Sequence, residues 1–478
     1  GLEFLFHPRS IAVVGVPSNP ENMQGGTFFM DALIKFGYRG NLYPVNPRAS
    51  EILGLKAYPD LMSVPKPLDY VICCLPASLT PQLVKDCTAK GVRAICIYTA
   101  GFSEESAEGR RLEQKLVSLA RQGGIRIIGP NCLGIYSPST HLSYSPLYSK
   151  EAGRVGLLCQ SGGISSELAQ LASHRGIRFS KVISYGNAAD LDEADFIEYL
   201  AQDVETRTIA AYVEGTKDGT RFLRTLAKAA AVKPVIILKG GRTDGGAKAA
   251  ASHTGALAGS REKWDILFQQ LGVMQVYSLK EMLDLVLAFQ YIKPPRGQRV
   301  GIIGGGGGAS VVATDACENA GLSVPAFSNE LRHDLEMLIS KTGNITRNPI
   351  DCFAAVGNRP LLLQITKLVA DSKEVDLLIM QVSIIGVYPV ESKSLEEWLE
   401  AIIEASRLVN LPMAVVPSNG DLPASSGLYF KLRQRCLQAG LAVYPNLSDA
   451  AQAIGRFVHY NSRMDDERAS SRPKRLSS

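Results

Sequence analysis

Short runs of β-branched and aliphatic residues that stop at glycine or proline alternate along the chain with longer stretches of helical apolar period. This alternation predicts parallel strands covered by helices, an α/β fold class. Three cycles separate. In the first, Ser10 to Gly15, Leu42 to Val45, Tyr70 to Leu75, Ala94 to Tyr98 and Arg126 to Ile128 read as strands of a doubly wound sheet. The second opens at Gly153 and has strands at Val155 to Cys159, Lys181 to Ser184, Ile209 to Glu214 and Pro234 to Lys239, with a helical pattern from Arg261 to Gln270. The third follows Lys293-Pro294-Pro295-Arg296-Gly297 and has strands at Val300 to Ile303, Leu322 to Pro325, Asp376 to Val382 and Met413 to Val416. Proline and glycine in the linker extend no helix, so a domain boundary is expected there.

The domains expected are therefore 1–150, 151–293 and 298–462, followed by a disordered basic tail, 463–478. A length of 478 residues suits about three domains of ordinary size. With 46% hydrophobic and 20% charged residues the composition is that of a globular protein. The formal charge of +5 is concentrated only in the tail, where five basic and three acidic residues lie, so nucleic-acid binding is not indicated. The nine cysteines form no C-x-x-C pair and sit mostly inside apolar runs, which suits a reducing compartment and buried thiols. No stretch approaches the ~20 apolar residues of a membrane span, and the N-terminal residues lack the pattern of a signal peptide. A cytoplasmic protein with no membrane partner is expected.

Three strand-to-helix junctions carry candidate chemistry. Ile11-Ala12-Val13-Val14 runs into Gly15-Val16-Pro17-Ser18-Asn19-Pro20 and then Gly25-Gly26 before a helix from Thr27 through Leu33. Backbone N–H groups at such a helix start can hold phosphate, although the junction can equally be a plain turn. The G-x-G-x-x-G fingerprint of dinucleotide binding is absent. At the second junction, Gln160-Ser161-Gly162-Gly163, the glycines let backbone close around an anion, and Ser161 can either cap the helix or donate to phosphate. The third, from Lys239 to Gly259, surrounds His253 with small residues that allow close approach of a second body. A neutral imidazole there is a competent nucleophile near neutral pH. Glu214 ends a strand, where a carboxylate can either hold an imidazole tautomer or simply face solvent.

Taken together and in order, several segments resemble the α component of the nucleoside diphosphate-forming acyl-CoA synthetases, relatives of succinyl-CoA synthetase. They are Ser10-Ile11-Ala12-Val13-Val14-Gly15, Tyr43-Pro44-Val45-Asn46-Pro47, Gly101-Phe102-Ser103-Glu104, Gly129-Pro130-Asn131-Cys132-Leu133-Gly134, Gln160-Ser161-Gly162-Gly163, Gly186-Asn187, Ser252-His253-Thr254-Gly255 and Asn348-Pro349-Ile350-Asp351. The resemblance implies a Rossmann-like CoA-binding domain followed by two flavodoxin-like domains, the first of which carries a phosphorylated histidine. His253 falls on that residue, Glu214 on its acidic partner, and Ser161, Gly162 and Gly163 on the helix start that cradles the phosphoryl group. Gly15, Ser18, Arg48 and Pro76 match positions around the CoA pocket. Asn131 and Cys132 match the segment near the thiol end.

The activity implied interconverts acyl-CoA, ADP and inorganic phosphate with a carboxylic acid, CoA and ATP through an acyl phosphate and phosphohistidine. The cofactors implied are coenzyme A, inorganic phosphate and ADP or ATP with Mg2+, the nucleotide being held by a separate ATP-grasp β subunit. An α2β2 heterotetramer follows by resemblance, with no metal site on this chain and a small carboxylic acid as substrate. Two departures stand out: Arg48 replaces a lysine common after Val-Asn-Pro, and Gly304 to Gly308 is a longer glycine run than the family's polar turn. The alternatives are a succinyl-CoA synthetase-type ligase, whose resemblance would stop before the third cycle, and a CoA-binding regulatory protein without turnover.

Overall fold

The computed structural model describes the chain except residues 20–23, 255–260, 341–343, 353–354, 356, 384–391, 419–425 and 472–478. The chain forms two compact units, Gly1–Met282 and Leu283–Ser478.

The first unit contains two large sheets. One has five parallel strands in the order Asn41–Val45, Ser10–Val14, Tyr70–Cys73, Ala94–Ile97, Arg126–Ile128. Its central strands are buried along their whole length, as expected of parallel strands covered on both faces. Helix Gly26–Phe36 starts where a side chain could not fit: a Cβ on Gly26 would stand 2.7 Å from the Val16 Cα. The helix stops at Gly37, whose φ of 91° closes the last turn in the left-handed region.

The other sheet has six strands in the order Met274–Val276, Val235–Lys239, Thr208–Val213, Val155–Cys159, Phe179–Ser184, Gly134–Tyr136. All but the last are parallel; Gly134–Tyr136 runs antiparallel to Phe179–Ser184. This strand was not predicted, because three residues inside a proline- and serine-rich segment leave no readable period. It has a functional consequence. The chain leaving the first sheet at Ile128 enters the second within a few residues, so the Gly129–Leu133 segment is fixed at both ends.

The second unit holds four parallel strands in the order Val300–Ile303, Leu377–Ser383, Met413–Ser418, Ala442–Val443. Helices Arg359–Asp371 and Ser392–Leu408 contribute Leu362, Ile365, Val369 and Ile402 to its core. Two expectations are corrected here. Leu322 to Pro325 is not a strand: Ser323 makes a single bridge to Arg299, and Pro325 has no N–H to continue a ladder. The tail expected to be disordered from residue 463 is helical through Ser471, as the end of helix Leu447–Ser471. Arg463 faces Glu467 one turn on, at 3.6 Å, an ion pair of the kind that supports an exposed helix. Residues 472–478 lie outside the described residues. The glycine run resolves into two parts. Gly304 and Gly305 have φ of 99° and 96°, and helix Gly307–Asn319 begins directly after them.

Candidate active site

The carboxyl edge of the second sheet gathers the charged and capping groups. Strand Val155–Cys159 delivers Gln160 and Ser161, strand Thr208–Val213 delivers Glu214, and strand Val235–Lys239 ends on Lys239. Register places these ends side by side, Tyr212 opposite Cys159 and Val213 opposite Lys239. Ser161, in extended conformation, caps helix Gly162–His174 by accepting from the Ile164 N–H at 3.4 Å. Gly162 and Gly163 form the first turn, whose N–H groups have no acceptor within the helix and carry the positive end of its dipole. Such a turn is able to hold an anion.

Glu214 is 4% exposed and is held in several ways. The buried Gln160 amide oxygen accepts from the Glu214 N–H at 2.7 Å and the Gly215 N–H at 3.2 Å. The Tyr212 hydroxyl donates to the Glu214 carboxylate at 3.1 Å, and burial, with the carboxylate second, pushes that phenol's pKa up. Lys239 is 2% exposed, and its ammonium donates to the Glu214 backbone carbonyl at 2.6 Å and to the Gly240 carbonyl. Burial lowers the Lys239 pKa to about 8 against the opposing pull of Glu214. Gly240 must be glycine or nearly so, since a Cβ there would stand 2.9 Å from the Tyr212 hydroxyl oxygen and 3.3 Å from the Glu214 Cγ. The solvated strand-end reading of Glu214 is therefore excluded by its burial.

From Gly240 the chain turns through Gly241, φ 70°, into helix Asp244–Thr254. Arg242 pins the turn: it pairs with Asp265 at 3.2 Å and its guanidinium lies 4.3 Å from the centre of the Tyr277 ring. His253 lies in the last turn of that helix; its side chain is outside the described residues.

The segment after the first sheet abuts this turn. Gly129–Pro130 is a cis peptide, and Asn131 has φ 59° with its N–H bonded to the Thr99 carbonyl at 3.1 Å. Leu133 donates its N–H to the Ser184 hydroxyl at 3.1 Å and lies against Gly162, whose Cβ would stand 3.3 Å from the Leu133 Cγ. Gly186 packs on the same segment so closely that a Cβ would stand 2.2 Å from the Pro130 oxygen. The Cys132 thiol is buried against Cys96, 3.7 Å away, and burial holds its pKa well above the ordinary thiol range. The contribution of this thiol is to packing.

On the first sheet, Gly15, Arg48 and Pro76 follow three adjacent strands, so topology brings them to one edge. Gly15 has φ 91°, and a Cβ on it would stand 2.9 Å from the Cys74 carbonyl carbon and oxygen. Ser18, Arg48 and Pro76 are exposed. Asn46 joins two of these loops, donating to the Val16 carbonyl at 2.7 Å and accepting from the Arg48 N–H at 2.7 Å. This edge fits an extended phosphate-bearing ligand: backbone without side chains, a helix start and an exposed guanidinium.

Between the sheets of this unit lies a polar network. Glu113 accepts from the Ser103 hydroxyl at 2.7 Å, from Asn187 at 3.1 Å and from Lys217 at 3.3 Å. Burial disfavours ionisation of Glu104, but hydrogen bonds from Asn187 and the Phe102 and Gly101 N–H groups outweigh it and hold its pKa low. Among the described residues, no group of three or more His, Cys, Asp or Glu is placed to hold a metal ion. No helix among them is long and apolar enough to cross a membrane. Gln160, Lys239 and Asn46 stand in segments that the sequence singles out, and Tyr212 in an expected strand, but the sequence gives none of them a role. Three of them work through partners met only in space, Gln160 and Lys239 on the Glu214 backbone and Asn46 on Val16, while Tyr212 meets Glu214 two residues on.

Comparison with known proteins agrees with this geometry. A CoA binding domain model matches residues 9–138, and a succinyl-CoA ligase like flavodoxin domain model matches residues 152–289. The α subunit of ADP-forming acetate–CoA ligase II from Pyrococcus furiosus is 37% identical over 410 residues, covering 86% of this chain and 88% of that one. ADP-forming acetate–CoA ligase I from Archaeoglobus fulgidus is 38% identical over 353 residues, covering 73% of this chain and 50% of that one. Among solved structures, acetyl-coenzyme A synthetase 1 of Ca. Korarchaeum cryptofilum, described as dinucleotide forming and in complex with phosphate and ADP, gives a TM-score of 0.84. It is 29% identical and covers 99% of this chain and 100% of that one. With two family models falling on its first two sheets and these relatives spanning most of its length, the chain belongs to the ADP-forming acetate–CoA ligase family, acid–thiol ligases, and corresponds to their α subunits.

Proposed function

We propose that this chain binds CoA and carries the phosphohistidine of an ADP-forming acyl-CoA ligase, with the nucleotide half of the reaction supplied by a partner subunit. The observation that carries the reading is the convergence of three elements: the Gly129–Leu133 segment, the anion cradle at Ser161-Gly162-Gly163, and buried Glu214. CoA lies along the carboxyl edge of the first sheet, against Gly15, Ser18, Arg48 and Pro76, with its thiol end toward Asn131 and Cys132. An oxygen of inorganic phosphate attacks the thioester carbonyl carbon, the C–S bond breaks, and the CoA thiolate leaves and takes a proton. The acyl phosphate so formed meets His253. An imidazole nitrogen attacks phosphorus, the acyl P–O bond breaks, and the carboxylate departs. Glu214 accepts the imidazole's other N–H, which fixes the attacking tautomer and balances the charge that grows on the ring. The first-turn N–H groups of helix Gly162–His174 hold the phosphoryl oxygens.

The phosphohistidine then delivers its phosphoryl group to ADP. That site, with Mg2+, belongs to an ATP-grasp β subunit in an α2β2 assembly, and the segment around His253 travels between the two. The α-subunit relative in Pyrococcus and the half-length match to the Archaeoglobus ligase support a division of this kind. The division into domains at 1–150, 151–293 and 298–462 goes with this reading. The acid is a small carboxylic acid. All nine cysteines are free, which suits the reducing cytoplasm.

The test is single-turnover phosphorylation. The full chain is incubated with an acyl-CoA and inorganic phosphate and then weighed intact. An acid-labile gain of one phosphoryl group is expected, and no gain with any of several acyl-CoAs, alone or with an ATP-grasp subunit, would overturn the reading.

A further inference from the structure

Lys239 is a buried ammonium whose two described acceptors are backbone carbonyls, those of Glu214 and Gly240. Those carbonyls mark the points where two neighbouring strands release their chains. After Glu214 the backbone leaves toward Lys217; after Gly240 it enters the turn into helix Asp244–Thr254, on which His253 lies. The Gly240 N–H also reaches back to the Val213 carbonyl at 2.9 Å. A Lys239 side chain thus ties the root of the His253 segment to the residue read as its acidic partner, and Trp264, with its ring centre 5.4 Å from the ammonium, covers it from helix Arg261–Gln270. The Gln160 amide oxygen holds the Glu214 and Gly215 N–H groups from the neighbouring strand and needs no lysine to do so.

We propose that Lys239 is a positioning residue that clamps the start of the His253 segment to the Glu214 backbone, fixing carboxylate and segment in one register for phosphoryl transfer. This rests on reading His253 as the phosphorylated residue. A charged ammonium grips carbonyl oxygens more strongly than a neutral amine does. The charged groups acting on it are the Glu214 carboxylate, which favours the ammonium, and Arg242, which with burial opposes it; Tyr212, hydrogen-bonded to Glu214, is the neighbouring phenol. The balance leaves the ammonium titrating at about 8. The clamp is therefore fully charged only well below that pH, half charged at it, and weakens as pH rises through it.

The experiment follows phosphohistidine formation in the full chain, with acetyl phosphate as donor, from pH 6 to 10 in the wild type, Lys239→Met and Lys239→Arg. Hydrogen exchange over residues 240–254 is measured on the same proteins. The wild-type rate is expected to fall above about pH 8. Lys239→Met should be slower by about 10- to 100-fold, the scale of a misplaced reacting group, with no alkaline limb and faster exchange in the segment. Lys239→Arg, which stays charged, should recover part of the rate and lose the limb. If Lys239→Met does not fold, the wild type and Lys239→Arg decide, and a rate flat to pH 10 in both overturns the clamp. Unchanged exchange and an unchanged pH profile in Lys239→Met overturn it too. No phosphoryl gain in the wild type under any condition would instead overturn the functional reading, and the clamp with it.

Discussion

The carboxyl edges of the first and second sheets are built from the same strand-to-helix junctions and differ in what they expose. Around the first, Ser18, Arg48 and Pro76 are open to solvent, and the structural work is done by a glycine at φ 91° and by Asn46 bridging two loops. Around the second, Ser161, Glu214, Gln160 and Lys239 are all buried; Ser161, Gln160 and Lys239 are tied to backbone, and the Glu214 carboxylate to the Tyr212 hydroxyl. A ligand that brings its own chemistry needs a surface that lets backbone approach it. A step in which charge develops needs groups already desolvated and already oriented. The two edges meet at Gly129–Leu133, the segment where, on the proposed function, the thiol end of CoA and the phosphoryl group come together.

Changes at the second edge should cost the most. Glu214→Gln keeps the shape but removes the charge and can no longer stabilise an imidazolium; phosphorylation of His253 should slow by about 100-fold or more in single-turnover measurements, with CoA affinity by calorimetry unchanged. An equal loss of CoA affinity would mean that the two edges are not separate. Gln160→Ala strips the acceptor from two buried N–H groups, which costs about 1–3 kcal/mol for each one left unsatisfied, and thermal unfolding should report it.

At the first edge the expected effects are smaller and confined to binding. Arg48→Ala should weaken CoA by about tenfold, equivalent to about 1.4 kcal/mol, with a shallower salt dependence, while transfer from acetyl phosphate proceeds unchanged. Arg48→Lys should restore part of that affinity, since an ammonium keeps the charge and loses the planar fork. The smallest effect is expected at the cap. Ser161→Gly should cost only a few tenths of a kcal/mol in stability, because the glycine N–H groups around it still face the anion. A large loss of phosphorylation in that variant would show that the hydroxyl touches the phosphoryl group and does not merely cap.

Much of this organisation was legible in the sequence. Strands buried on both faces read as unbroken apolar runs, and glycines at a strand end and at the following helix start mark positions where a side chain would collide, as Gly15 and Gly26 show. What stayed hidden was whatever depends on residues meeting from distant positions. Lys239 serves the Glu214 carbonyl, and Gln160 the Glu214 N–H, through space; neither contact leaves a trace in local period. The strand Gly134–Tyr136 was hidden because its pairing belongs to another sheet, and Leu322 to Pro325 misled because an apolar run beside a proline has no partner to extend it.

On the proposed function, His253 accepts a phosphoryl group made from thioester and phosphate on this chain. It is tested most directly by the intact mass of wild type and His253→Ala after incubation with acyl-CoA and inorganic phosphate. One acid-labile phosphoryl group is expected on the wild type and none on the variant. An equal gain on His253→Ala would place the phosphoryl group on another residue and contradict it.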